Sequence, residues 1–565
     1  MSIRCKITAI VAIGVAAGAV SLALADDEHE HLTSQRVLLI SIDGMHALDF
    51  QNCVATRTCP NLAALGTTGV TYTRTSTSKP SDSFPGLMAI VSGGTPKLVG
   101  AYYDVAYDRV LAPPSADTGN GVLHGDCFRG RPNGTRTEYE EGVEIDQTQL
   151  NGGSPDYSKL DGGIKSIDPA KLERDPFNGC APVYPWNFVR ANTIYGVIHK
   201  AGGFTAWSDK HAVYAVVSGP TGTPFPSNVD DYYSPEVNSN PIDLPGVVTA
   251  THHDCSTFNN NGGDWTGDFD NIKCYDQLKV NAVLNWIDGK AHLGGMPAGG
   301  APIVPKIFGM NFQAVSVGEK LIESGVKGGY KDAAGTPTQA MLGEIEFVDG
   351  AIGQFVHELK KQHLFDSTTI IITAKHGQSP IDTHRFFPIP GKSGTNGTPP
   401  SSVLGPDFLS DSQLNQIGPT EDDISLLWLN PGASTLDAVA LLEQNAGAAG
   451  VGQILYGPSL ETMFNAPGLP SEGGDPRTPD IIVVPNVGVV YTGSGKKQAE
   501  HGGFALDDTN VMLLVSNPSI KARTITSFVE TTQVAPTVLR ILGLDPDSLD
   551  AVRKEGTPVL PGLDD

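Results

Sequence analysis

Continuous apolar runs that alternate with helical segments constrain the fold of this chain more than any other feature. The clearest runs cover residues 36–42, 304–312, 368–373 and 511–515. Between the second and third runs, apolar residues recur at helical spacing across residues 339–361. Strands without a polar face that alternate with helices are typical of a mostly parallel sheet with helices on both of its faces. The sequence therefore predicts an α/β fold.

Shorter segments extend the same alternation. They predict helices near residues 60–66, from residue 83, and at 193–200 and 531–542, with further core strands at 204–207 and 480–484. Three stretches rich in Gly, Pro and Asn separate these elements, at residues 101–190, 217–270 and 390–475. They are too long for ordinary connections. We expect them to form caps beside the strand ends.

The first 25 residues predict an export signal, because Arg4 and Lys6 precede an apolar segment that ends at Ala23-Leu-Ala25. A retained N-terminal anchor is the alternative. After cleavage, residues 26–34 form an acidic tail and residues 35–565 a single domain with its caps. The chain is therefore expected to be secreted or periplasmic, with no stable membrane span after signal cleavage.

Six cysteines follow the signal, which is the even number expected for disulfides in an exported protein. The simplest pairing is sequential, although the sequence leaves the other pairings open. It joins Cys53 to Cys59, Cys127 to Cys180 and Cys255 to Cys274. The scattered spacing of these residues argues against a structural zinc cluster.

The net charge of −24 argues against binding of a nucleic-acid duplex through a general basic surface. It does not exclude a small anionic substrate that is held by a local positive site. The sequence does not determine the oligomeric state.

Four places carry residues that are suited to chemistry at the ends of these elements. Asp43 ends the first strand, Ser83 opens a helix before Phe84-Pro85, and His376 and His501 each precede glycine. Taken alone, each is typical of structure, since an aspartate after a strand forms turns and a serine caps helices. Together, at loops that follow strands in an α/β sheet, they indicate a metal site with a hydroxyl nucleophile.

These motifs, in this order and at these intervals, resemble the nucleotide pyrophosphatase/phosphodiesterase (type I phosphodiesterase) branch of the alkaline phosphatase superfamily. The segment 534–543 is similar to the closing helix of that superfamily, and the resemblance spans residues 36–543. It implies an alkaline-phosphatase-like, mostly parallel sheet with long cap insertions. It also implies a hydrolase of phosphodiester, pyrophosphate or related phosphoester bonds, with a small anionic substrate.

The resemblance further implies a divalent-metal site, usually zinc, at which a Ser or Thr hydroxyl attacks phosphorus and forms a phospho-enzyme. By position, Asp43 and His376 would hold the metal that activates Ser83, and His501 would belong to a second metal.

The chain departs from the family pattern at the positions of three metal ligands and of one phosphate-binding group. Lys375 replaces an aspartate before His376, Glu319 replaces a histidine, and a further aspartate is lost to Val315, or to Ser316 with a one-residue slip. Asp104 stands where the family has an asparagine that orients the phosphate. We therefore expect one ion rather than two, held by some of Asp43, His376, His501 and Glu319. In this hypothesis Lys375 supplies the charge of the missing metal and pairs with Asp104.

Several alternatives remain open from the sequence. Loss of the metals would leave a catalytically impaired binding protein, and the substrate class could instead be sulfate esters or phosphonates. A neutral Lys375 could serve Ser83 as base in a Ser–Lys esterase, which requires burial of the lysine. Asp209 and His211, in a polar cluster after the strand at 204–207, either replace a lost ligand or cap the strand and line the cleft.

Overall fold

The computed structural model describes residues 32–119, 121–139, 146, 163–258, 263–390, 394, 396–409, 419–492 and 497–563. The predicted signal at residues 1–25 lies outside these ranges. No helix in the described part of the chain is long and apolar enough to span a membrane. The predicted signal and domain boundaries remain predictions.

The strands of two sheets organise the chain. In chain order they are β1 (Arg36–Ile42), β2 (Gly69–Ser76), β3 (Ala206–Ser208), β4 (Asp231–Tyr233), β5 (Ile307–Phe312), β6 (Thr368–Thr373), β7 (Pro419–Glu421), β8 (Ser425–Leu427), β9 (Val451–Tyr456), β10 (Ile481–Pro485), β11 (Asn510–Ser516), β12 (Arg523–Ile525) and β13 (Val529–Glu530). Four short pairs lie outside these sheets: Val105–Asp108 with Thr135–Glu138, Arg174–Asp175 with Ala181–Pro182, Ile322–Glu323 with Val326–Lys327, and Phe387–Pro388 with Val489–Val490.

The central sheet has nine strands in the order β12-β2-β11-β6-β1-β5-β3-β4, with β13 also paired to β2. Strand β1 is parallel to both of its neighbours, β6 and β5. Strand β11 is antiparallel to β6 and to β2, between which it lies. The predicted α/β class with a mostly parallel sheet is confirmed.

Helices cover both faces of this sheet. The longer ones are α1 (Ala47–Thr56), α2 (Pro60–Gly66), α3 (Ser83–Ser92), α4 (Ile194–Lys200), α5 (Phe269–Ile287), α6 (Ala314–Lys320), α7 (Gln339–Lys361) and α9 (Val534–Ile541), whereas α8 (Thr435–Gln444) packs on the second sheet. Alternate residues of β1 enter two separate apolar clusters. Leu38 and Ile40 pack with α1, α5 and α7, whereas Val37 and Leu39 pack with α3, α4 and α9. Burial of both faces explains why β1 and β6 are continuous apolar runs.

The strand predicted at residues 480–484 exists, but it does not lie in the central sheet. As β10 it joins β7, β8 and β9 in a four-stranded antiparallel sheet that packs against α8. The stretch at 390–475, expected to be an irregular cap, supplies most of this second sheet. An apolar run shows that a strand is buried, whereas its pairing partners lie elsewhere in the chain.

The three disulfides join Cys53 to Cys59, Cys127 to Cys180 and Cys255 to Cys274. The simplest pairing expected from the sequence is thus confirmed. The second bridge lies within the stretch 101–190, and the third ties the stretch 217–270 to α5.

The centre of the sheet depends on a glycine. Gly309 of β5 lies opposite Leu39 of β1, and a Cβ at this position would collide with the Leu39 carbonyl oxygen. We expect Gly309→Ala to lower the free energy of unfolding by roughly 3 kcal/mol, because neither strand can move without breaking its other pairings. Denaturant titration measures the change.

Gly343→Ala is the matched control. Gly343 lies in α7, and a Cβ there meets no atom within 4 Å. The control should raise the free energy of unfolding by about 0.5–1 kcal/mol through helix propensity. Equal effects of the two substitutions would contradict the close-packing explanation.

Candidate active site

The candidate catalytic residues converge at the carboxyl edge of the central sheet. Asp43 follows β1, Lys210 follows β3, and Lys375 and His376 follow β6. Ser83 is the first residue of α3. In open α/β sheets this edge is where ligands bind, because the loops after parallel strands meet there.

Helix α3 is held so that Ser83 faces this edge. Asp82 caps the helix by accepting a hydrogen bond from the Phe84 N–H at 3.1 Å. Gly86, one turn into the helix, lies against the carbonyl group of Lys375, with which a Cβ would collide. The absence of a side chain at Gly86 therefore lets the helix carrying Ser83 approach the loop carrying His376.

The Ser83 hydroxyl contacts two nitrogen atoms. Its Oγ lies 3.1 Å from His376 Nε2 and 3.1 Å from Lys210 Nζ. His376 Nδ1 lies 2.9 Å from the carbonyl oxygen of Gly377, to which only an N–H can donate. This contact leaves the lone pair of Nε2 free to accept the Ser83 proton, while the Lys210 ammonium donates to Oγ.

Burial, reinforced by the charge of Lys210, lowers the pKa of His376 to about 4. The imidazole is therefore neutral at physiological pH. A neutral Nε2 that faces a hydroxyl is suited to general-base chemistry.

Asp43 is fully buried and is held by two amides. Asn311 Nδ2 and Gln313 Nε2 donate to its Oδ2 at 3.0 and 2.6 Å. Lys375 Nζ and His376 Nε2 each lie 3.8 Å from the same oxygen. Burial opposes ionisation of Asp43, but the charge of Lys375, followed by those of His376 and Lys210, lowers its pKa below the usual range.

Lys375 forms its closest ion pair with Asp209, at 2.9 Å, and not with Asp104 as hypothesised. Asp209 is oriented by the indole N–H of Trp207, which donates to its Oδ2 at 3.0 Å. The Lys375 ammonium also lies 4.1 Å from the centre of the Tyr214 ring, within the range of cation–π attraction. Because Asp209 follows β3 directly, it approaches Lys375 from a strand end that β1 and β5 separate from β6.

Asp104 and His501 lie around the helix cap. The Asp104 N–H donates to Asp82 Oδ2 at 3.0 Å, and His501 Nδ1 lies 3.6 Å from Asp82 Oδ1. The rings of His501 and His376 are 4.0 Å apart between centroids. Burial, reinforced by the charges of nearby lysines, lowers the pKa of His501 well below its usual value.

Glu319 belongs to a different cluster. It lies 3.1 Å from His46 Nδ1 and accepts hydrogen bonds from Tyr330 and from the side chain of Gln378. The four expected metal ligands thus divide between two places. Asp43 and His376 lie beside Ser83 with His501 next to them, whereas Glu319 contacts a separate histidine.

Ser83 Oγ and Asp43 Oδ2 lie 3.1 and 3.8 Å from His376 Nε2, but two buried lysines beside them make the site unfavourable for a divalent metal, because an ammonium cannot ligate and repels a cation. Protein oxygen and nitrogen ligands bind zinc at about 2.0–2.2 Å, and the ion must lie between them. Lys375 Nζ lies 3.8 Å from Asp43, and Lys210 Nζ lies 3.1 Å from Ser83. Two ammonium groups therefore contribute the positive charge at the position where the family pattern would require a cation.

Sequence reasoning missed Lys210 and the two amides that hold Asp43. Lys210 lies in the polar cluster after the strand at 204–207, but the neighbouring Asp209 and His211 were weighed in its place. His211 pairs with Glu236 at 2.6 Å. A lysine that follows a strand is normally solvated, and nothing local to the sequence showed that this one is 5 % exposed.

Comparison with known proteins assigns the chain to a class of hydrolases. The sequence profile of the type I phosphodiesterase/nucleotide pyrophosphatase family matches residues 37–159 and 327–505, which is more than half of the chain. The chain therefore belongs to this family, and the resemblance drawn from its motifs is confirmed. The family consists of phosphoester hydrolases, so the expected enzyme class is confirmed as well.

Solved structures agree in fold. Murine ectonucleotide pyrophosphatase/phosphodiesterase 5 matches over 91 % of this chain and 96 % of its own, with a TM-score of 0.52 and 14 % identity. An inactive form of the murine protein in complex with AMP gives the same values. The human protein matches over 90 % of this chain and 95 % of its own, with a TM-score of 0.50 and 14 % identity. No curated protein matches the chain.

The environment of His376 leads to a pH prediction. If neutral His376 is the base, kcat/KM should be constant near neutral pH and fall as pH drops through about 4, the pKa of the imidazole. Lys210→Met removes a charge that lowers this pKa, so the residual activity should begin to fall at a higher pH. Rates measured from pH 3 to 8 on a small phosphodiester check both statements. An unchanged acid limb in the variant would contradict the assignment.

Proposed function

We propose that this protein is an exported hydrolase of small phosphodiesters, pyrophosphates or related phosphoesters, in which Ser83 attacks phosphorus. The observation that carries the proposal is the position of Ser83 Oγ between a neutral His376 Nε2 and the Lys210 ammonium. A base and a positive charge at one hydroxyl are what a serine nucleophile requires.

The first step transfers the phosphoryl group to serine. Oγ forms a bond to phosphorus while the bond from phosphorus to the leaving oxygen breaks. The hydroxyl proton passes to His376 Nε2, and the leaving group takes a proton from solvent. A bound phosphoryl anion raises the pKa of the imidazole, which allows it to hold this proton.

The second step releases the product. Water attacks phosphorus from the side opposite Ser83, and its excess proton passes to solvent. The bond from phosphorus to Oγ breaks, and His376 returns its proton to Oγ. The same imidazole thus acts on the same oxygen as base and then as acid, as an in-line displacement requires.

Lys210 and Lys375 supply the positive charge for both steps. Lys210 contacts the nucleophile directly, whereas Lys375 lies beside Asp43 and is anchored by Asp209. Fixed charges that need no reorganisation stabilise a developing anion effectively. Asp43, held ionised, orients the cationic groups, and Asp104 and His501 lie on the side of the helix cap. Because Ser83 is fully buried, entry of a substrate requires movement of the surrounding loops, which favours a small substrate.

Export is supported by the N-terminal signal pattern and by three disulfides, which persist in oxidising compartments. A secreted or periplasmic location follows. The expectation of a divalent ion, of the zinc class, is retained in this proposal, but its position is not at Ser83.

A second candidate function is a Ser–Lys esterase. It is favoured by the contact of Lys210 Nζ with Ser83 Oγ, because a neutral lysine there would act as the base. The lysine concerned would be Lys210 and not Lys375, which is directed towards Asp209. Hydrolysis of carboxyl esters without hydrolysis of phosphoesters would select this candidate.

The nucleophile is tested by trapping. Ser83→Ala should lower hydrolysis of an aryl phosphodiester by at least about 10³-fold, and acid quench of the wild type should leave phosphate on the peptide that contains Ser83. Ser92→Ala, at the other end of α3, is the matched control and should retain activity. If the wild type hydrolyses no phosphoester, the proposal fails, and hydrolysis of carboxyl esters then separates the Ser–Lys esterase from a binding protein.

The source of positive charge is tested with lysine variants and a chelator. Lys210→Ala should lower kcat by about 10²–10³-fold through loss of the charge at Oγ. Activity of folded wild-type enzyme should survive dialysis against EDTA at low temperature. The role given to the lysines would be contradicted if EDTA abolished the activity of protein that stays folded and added zinc restored it.

A further inference from the structure

We propose that His46, Asp49 and Glu319 form a divalent-metal site that is separate from the pocket of Ser83. All three side chains are buried, and their nearest ligand atoms lie within 4.8 Å of one another. His46 Nδ1 is 2.9 Å from Asp49 Oδ2 and 3.1 Å from Glu319 Oε1. The proposal does not depend on the chemistry assigned to Ser83.

The spacing matches a coordination polyhedron. The hydroxyl of Tyr330 lies 2.9 Å from His46 Nδ1 and 3.0 Å from Asp49 Oδ2, and it also contacts Glu319. In a tetrahedral zinc site with bonds of about 2.0–2.1 Å, ligand atoms are separated by roughly 3.4 Å. The separations of His46 Nδ1 from Asp49 and from Glu319 therefore need to grow by only a few tenths of an ångström to admit an ion, and the phenol of Tyr330 would move further from Glu319.

The far side of the His46 ring supports metal binding through Nδ1. Nε2 lies 3.0 Å from the carbonyl oxygen and 3.2 Å from the N–H of Gln378. The shorter contact is the one in which Nε2–H donates to the carbonyl group, which leaves the lone pair of Nδ1 for a metal. Histidine ligands commonly donate their second N–H to a backbone carbonyl in this way.

The outer contacts of Glu319 follow the same pattern. The side-chain amide nitrogen of Gln378 donates to Glu319 Oε2. Oε1 of Gln378 accepts a hydrogen bond from the Ser316 hydroxyl at 2.9 Å, which fixes the orientation of the amide. Oε1 of Glu319 is thereby directed towards His46. Hydrogen bonds of this kind to a ligand strengthen metal binding, since removing one typically weakens the affinity for the metal by about 10–100-fold.

The charge of the cluster also calls for a cation. Two buried carboxylates share one ionic partner, the imidazole of His46. A single imidazolium leaves one negative charge without compensation in a buried site, whereas a divalent ion with a neutral imidazole balances both carboxylates.

The ligand set selects the class of metal. One imidazole with two carboxylates and a phenol suits zinc or manganese, whereas calcium takes six to eight oxygen ligands. His46 also lines a cleft of about 490 Å³ together with Asp382 and Asp507, which provides a route for a cation. Bound there, the ion would join the start of α1 to the end of α6 and, through Gln378, to the loop that carries His376.

Ion content tests the site. Mature protein is loaded with zinc or manganese, passed through a desalting column and measured by plasma mass spectrometry, with His29 and His31 of the N-terminal tail replaced by Ala in every sample. We expect one ion per chain in this background and in Asp43→Asn, and at least about 10-fold weaker binding in Glu319→Gln. Glu443→Gln, at an exposed position of α8, is the control and should bind like the background.

Thermal denaturation keeps the test informative if Glu319→Gln is poorly folded. Zinc should raise the Tm of the background protein and of Tyr330→Phe but not that of Glu319→Gln. The proposal is overturned if the background protein holds no ion after loading. It is also overturned if Glu319→Gln retains the ion while Asp43→Asn loses it. Because ion content and Tm are read without substrate, failure of hydrolysis at Ser83 and failure of this site are distinguishable.

Discussion

The buried ion pair between Lys375 and Asp209 is the interaction on which the arrangement of the active site depends. It joins the ends of β6 and β3, which are not neighbours in the sheet, across the end of β1 that carries Asp43. Removing one partner of such a pair typically costs about 3–5 kcal/mol, because the other charge stays buried without compensation. With Lys375 fixed beside it, Asp43 stays ionised, whereas His376 is kept neutral by burial and by the charge of Lys210.

This organisation differs in kind from a metal centre. An ion can be lost, exchanged or replaced, and its affinity depends on the surrounding solution. Ammonium groups are part of the chain and are present whenever the chain is folded. Each carries one charge and not two, however, and cannot bridge an attacking and a leaving oxygen as closely as a metal pair does. In the proposed mechanism, a site built in this way exchanges catalytic strength for independence from metal supply.

How much of this was predictable from the sequence varies with the kind of interaction. The bounds of β1, β6 and α7 were predicted closely, because an apolar run or a helical stripe is a local pattern that reports burial. The place of β10 in the second sheet was not, since strand pairing is decided by distant segments. In the active site, Ser83 and His376 were singled out by local motifs and lie in contact. The contact of Lys210 with Ser83, and the separation of Glu319 from Asp43, depend on which loops come together in the folded chain. No local sequence pattern reports this.

The position of β11 has a consequence for how the protein reaches its native state. This strand comes from the last part of the sequence, yet it lies between β2 and β6, and β6 is the direct neighbour of β1. Until residue 516 has emerged, β2 has no partner through which to join the rest of the sheet. The apolar strands on that side of the sheet therefore stay uncovered until synthesis of the chain is nearly complete. Slow, non-local closure of this type makes the incomplete chain dependent on protection from aggregation.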